Sequence, residues 1–78
     1  DLVGAEQAFG EVTNLDPNNA AAWFNLGVTQ MAQGKYDVAV DALTEAHRID
    51  PKTRFASEIA RVRRFQARTQ AEKTPIAQ

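Results

Sequence analysis

The feature that most restricts this chain is an internal repeat: Leu15-Asp16-Pro17 returns as Ile49-Asp50-Pro51, an offset of 34 residues. At the same offset Leu2 pairs with Tyr36, Ala5 with Ala39, Phe9 with Leu43, Val12 with Ala46 and Asn19 with Thr53. A period between about 20 and 50 residues marks stacked supersecondary units, each burying its apolar face on its neighbours. The punctuation within the period then sets the elements. Proline disfavours helical geometry in the residue before it, so Asp16-Pro17 and Asp50-Pro51 each end a helix. Asn19 and Thr53 are suitable N-caps for the helices that follow, and Gly34 suits the left-handed residue that closes a helix before a tight connection. The sequence therefore predicts an all-α fold of four helices, near 2–15, 20–33, 36–49 and 54–71, joined as antiparallel helix-turn-helix units. Thr74-Pro75 should release a flexible tail, 74–78, from the last helix.

A chain of 78 residues holds one domain, here 1–73, in a size range where a single core is barely sufficient. It has no cysteine, which removes disulfides and thiolate metal sites, so stability has to come from packed side chains. No apolar run reaches the roughly 18 residues of a membrane span. The start, Asp1-Leu2-Val3-Gly4, has neither an initiating Met nor a signal-peptide layout, and the chain reads as a soluble piece of something longer. Its net charge of −1 conceals a polarity. Residues 1–50 carry two bases against eight acids and residues 51–78 carry seven bases against two, which can orient a neighbouring element or a partner.

The complete unit, 20–53, resembles the tetratricopeptide repeat, whose pattern is W-x2-L-G-x2-Y, then A-x3-F, then P within 34 residues. Trp23, Leu26, Gly27, Ala39 and Pro51 match it, Leu43 stands in for the Phe and Gln30 for the Tyr, while Tyr36 and Ala46 sit at a usual aromatic and a usual small position. The resemblance implies an α-solenoid fragment: the second helix of a partial repeat over 1–19, a full repeat over 20–53 and a capping helix over 54–73. Trp23 and Leu26 supply an apolar stripe, and Gly27 and Ala39, lacking bulk, let two antiparallel helices approach closely. The last helix departs from the pattern, with Ser57, Ala60, Arg61 and Arg64 where Trp, Leu, Gly and Tyr are expected. An arginine in the glycine's place blocks a following helix, so this helix reads as a solvated cap that packs through Phe55, Ile59, Val62 and Phe65 or Gln66. Gly4 and Gly10 weaken the first helix, and its Leu2, Ala5, Phe9 and Val12 want cover that a second copy could give.

What the family implies for function is a protein or peptide partner held on the concave face of each repeat's first helix. Here that face offers Ala21, Phe24, Asn25, Val28 and Met31, continued by Phe55 and Val62 of the cap. Phe24, Val28 and Met31, at i, i+4 and i+7, form an apolar stripe beside the one used for internal packing, which suits an apolar or amphipathic segment. The alternative is that neighbours enclose this stripe. The clamp of basic residues and asparagines with which some relatives grip a terminal carboxylate is missing. Asn25 fits one of its places, but Phe24, Val28, Phe55 and Ile59 occupy the others. Two further expectations belong to other classes: self-association through the first helix, and anion contact through Arg54, Arg61, Arg64 and Arg68, which share one face of the last helix. Nucleic acid is disfavoured by the acidic balance and by the expected lack of an exposed aromatic among those arginines. Asp37, Asp41 and Glu45 on one straight helix cannot surround a cation, and the lone His47 near a helix C-terminus answers to the helix dipole. No nucleophile and base are spaced for catalysis, so neither enzyme, metal nor cofactor is expected.

Overall fold

The computed structural model describes residues 1–73 and consists of four helices: α1 (Leu2–Leu15), α2 (Ala20–Ala32), α3 (Tyr36–Ile49) and α4 (Thr53–Lys73). Each packs on the next in chain order, α1 on α2, α2 on α3 and α3 on α4. The order follows from short connections, which leave each helix no choice but to lie against its predecessor. The expected tail, 74–78, lies outside the described residues.

The helix ends show why the chain turns where it does. Asn19 caps α2, its side-chain oxygen accepting from the Ala22 N–H at 3.0 Å. At the far end of α2, Gly34 takes a left-handed φ of 79°. Its N–H donates to the Met31 carbonyl at 3.0 Å and the Lys35 N–H to the Gln30 carbonyl at 2.9 Å, the pair of bonds of a Schellman close. That arrangement reverses the chain within three residues and sets α3 antiparallel to α2. Asp50 ends α3 in extended geometry before Pro51. α4 begins at Thr53, with the Phe55 and Ala56 N–H groups donating to the Lys52 carbonyl.

The core is built largely from small side chains. Ala22, Ala39, Ala42 and Ala46 are buried together with Leu26, Leu43, Phe55 and Val62. Alanine faces permit close helix axes, and Gly27 takes this furthest. A Cβ added at Gly27 would stand 2.7 Å from Leu43 Cγ and 3.2 Å from the Ala39 carbonyl oxygen, so α2 and α3 approach as nearly as backbone allows. Ala39, Leu43 and Val62 form the centre, with Phe24, Val28, Met31, Tyr36, Val40 and Ile59 packed around it. Trp23 is only half-buried, and its indole N–H donates to the Pro17 carbonyl at 2.8 Å, tying the α1–α2 connection to α2.

By contrast α1 buries little, with Ala5 and Phe9 half-buried. Its single buried residue is Thr13. Glu6 accepts from Lys35 Nζ and from Gln33 Nε2, each at 2.9 Å, and from Gln30 Nε2 at 3.3 Å. These bonds hold the Glu6 carboxyl below its ordinary range, the Lys35 bond foremost, then those from Gln33 and Gln30. Leu2, Val3, Val12 and Leu15 of α1 stay exposed, the last at 86%.

Candidate interaction surfaces

The residues expected on the concave face fall into two groups. Ala21 and Asn25 are exposed, and Phe24, Val28 and Met31 are half-buried, resting on the Ala39, Leu43 and Val62 centre. All five lie on α2, whose register between the Asn19 cap and the Gly34 close turns this stripe beside the Leu26 and Gly27 contact with α3. Phe55 and Val62, read both as part of the cap's packing face and as a continuation of the groove, are core residues at 1% and 0% exposure, so the packing reading stands and the groove reading is corrected. The physical reason is that α4 lies down on the α2–α3 pair and spends its apolar face there, leaving neither side chain for a ligand.

Phe55 also sets the end of the groove. Its ring centroid is 4.9 Å from that of Phe24 at a tilt of 32°, and the Arg54 guanidinium lies 5.0 Å from both centroids. One cation over two aromatic faces is a favourable arrangement. Arg54 was expected among an outward stripe of arginines; it belongs with the Phe24 end of the groove. What stays open on α2 runs from Ala21 and Asn25 toward Val28 and Met31.

The other three arginines gather farther along α4. Arg61, Arg64 and Arg68 line a shallow cleft of about 270 Å³ together with Phe65. Phe65 or Gln66 was expected to complete the packing face of the cap, and Gln66 does; no exposed aromatic was expected among the arginines, and that point is corrected. Phe65 is 38% exposed, stacks on Tyr36 with centroids 6.2 Å apart and planes within 11°, and has the Arg61 guanidinium 6.0 Å from its own centroid. Gln66 takes the packing position beside it and donates to Asp37. The reason is register: Phe55, Ile59, Val62 and Gln66 continue one stripe, and Phe65 falls to its edge.

The acidic and histidine positions on α3 have local partners or none. Asp37 accepts from Gln66, Glu45 pairs with Arg48 at 2.9 Å, which lowers the Glu45 carboxyl and raises the Arg48 guanidinium, and His47 Nδ1 is buried with no hydrogen-bond partner among the described residues. Among the described residues no three His, Asp or Glu side chains come together as a metal site, and no helix is long and apolar enough to cross a membrane. Sequence reasoning missed the Arg54 roof over Phe24 and Phe55. The signal was the adjacency of Arg54 and Phe55 at a helix start one repeat beyond Ala20 and Ala21.

Compared with known families, residues 20–53 match the tetratricopeptide repeat. A search of curated proteins finds no match. The matched segment is the α2–α3 hairpin from its first residue through the turn that leads into α4, with the Gly27 approach and the Gly34 close in the repeat's register. Repeats of this kind are characteristically protein-interaction modules and not enzymes. Residues 20–53, the α2–α3 hairpin, are thus a tetratricopeptide repeat.

Proposed function

We propose that the chain binds a peptide or helix of a partner protein, as part of an adaptor or assembly protein, along the open stretch of α2. The observation that carries this reading is the stripe Phe24, Val28 and Met31, which remains half-buried beside the exposed Ala21 and Asn25 after α3 and α4 have packed. A helix needs one apolar face for its own fold, and Ala22, Leu26 and Gly27 already provide it for α2. A second apolar stripe that none of the described helices fully covers suits an amphipathic ligand with anchors at i, i+3 or i+4 and i+7. Arg54 at one end favours a ligand with an acid near that end. A terminal carboxylate has little to recommend it as the anchor, because the stripe is apolar where a clamp would need lysine and asparagine.

The test is selection of binders from a displayed library of helical peptides, followed by methyl spectra of the chain with the selected peptide. Shifts confined to Val28 and Met31, and loss of binding in an Ala21→Glu/Asn25→Glu variant, are expected. Both substitutions are at exposed positions and leave the core in place. Peptides that instead shift signals of α1, or whose affinity survives the double variant, would sink the reading.

A further inference from the structure

We propose that the cleft of Arg61, Arg64, Phe65 and Arg68 on α4 is a second docking surface, independent of the α2 groove. Its occupant is an acidic segment of a protein partner that places an aromatic or large aliphatic side chain between carboxylates. Three observations on the cleft converge on this chemistry. The four residues sit at i, i+3, i+4 and i+7 and so share one face of a single helix. Arg61 has a loose ion pair with Glu58, N to O 3.6 Å, and Arg64 is exposed. Finally, Phe65 offers a partly exposed apolar floor, its ring stacked on that of Tyr36.

Size and charge select the occupant. A cleft of about 270 Å³ falls just below the roughly 300–1,000 Å³ of small-molecule sites, so it is sized for a side chain. The distance from Arg61 to Arg68 is about 10 Å at the helical rise of roughly 1.5 Å per residue. That length matches about three residues of an extended chain. Guanidinium forks meet carboxylates with two parallel hydrogen bonds, which lets flanking acids fix the peptide while the apolar side chain lies on Phe65. A nucleic acid is the poorer fit. Its charge extends well past so short a stripe, and residues 1–50, with two bases against eight acids, repel a long polyanion more than a short acidic peptide.

The experiment measures binding of a fluorescent Gly-Asp-Glu-Phe-Glu-Asp-Gly peptide to the full chain by anisotropy in low salt. A peptide with the Phe replaced by Gly and a short single-stranded RNA run alongside. Binding of the Phe peptide is expected, several-fold tighter than the Gly peptide, and falling about tenfold or more in an Arg64→Glu/Arg68→Glu variant. Arg64→Gln/Arg68→Gln, which removes charge without adding repulsion, should give an intermediate loss, and both variants should keep the helical circular dichroism of the parent. Absence of peptide binding, equal affinity for the Phe and Gly peptides, unchanged affinity in the charge variants, or tighter binding of the RNA would each overturn the proposal.

Discussion

Gly27 and Gly34 show how much one missing side chain decides. At Gly27 a methyl group would meet Leu43 at 2.7 Å and the backbone oxygen of Ala39 at 3.2 Å, and the second neighbour cannot rotate aside. Gly27→Ala is therefore expected to cost about 1–3 kcal/mol by forcing α2 and α3 apart. At Gly34 there is open space around the same methyl, but φ is +79°, so Gly34→Ala should cost about 1–2 kcal/mol through backbone strain alone. Urea unfolding of both variants checks this: lower midpoints with an unchanged slope are expected, and a midpoint at or above the parent's would contradict the geometry. Both glycines were legible in the sequence because their roles are local to one hairpin. Arg61, one repeat after Gly27, carries the same lesson in reverse, since no helix can approach an arginine at that distance. The Trp23 bond to Pro17 was not legible, because it depends on the path of a connection that no periodicity describes.

Among the elements, α1 is the one whose attachment the sequence described only in part. Its stripe Leu2, Ala5, Phe9 and Val12 was expected to want cover, and Leu2 and Val12 are exposed while Ala5 and Phe9 are half-buried; the buried position is Thr13, whose hydroxyl donates to the Gly10 carbonyl. Hydrophobic period finds a helix and its approximate face; it does not find a polar clasp made across 24 to 29 residues of sequence, such as Glu6 with Gln30, Gln33 and Lys35. That clasp makes α1 pH-sensitive. The Glu6 carboxyl is held below its ordinary range in the folded state, so its contribution is fully present above that range and is lost as pH falls through the lowered value. Hydrogen exchange should show α1 amides losing protection relative to α2 as pH falls below the ordinary carboxylate range. Glu6→Gln should flatten that dependence, and since Glu45 is lowered in the parent and the variant alike, its titration cancels in the comparison. Equal pH dependence in the two proteins would remove Glu6 from the account.

For the whole molecule the deciding residue is Phe55, the largest side chain that is fully buried. It was read as part of a ligand groove because the family pattern places the start of the last helix on the concave face. The spacing of Phe55, Ile59 and Val62 also marked them as the packing face of the cap, and with no further helix packed on α4 among the described residues, α4 turns that stripe to the repeat before it. The same placement makes the cap part of the fold and not an accessory. Truncating a buried phenylalanine costs about 3–5 kcal/mol. A single core in a chain of this size rarely supplies more than about 3–5 kcal/mol in all. Phe55→Ala should therefore abolish the cooperative thermal transition of the entire chain, α2 and α3 included, whereas Phe55→Leu should keep a transition at a lower midpoint. Circular dichroism melts read the first effect and amide exchange in α2 and α3 reads the second. If the α2 and α3 amides stay protected in Phe55→Ala while those of α4 exchange freely, the repeat at 20–53 is stable without its cap, and Phe55 merely fastens α4 to it.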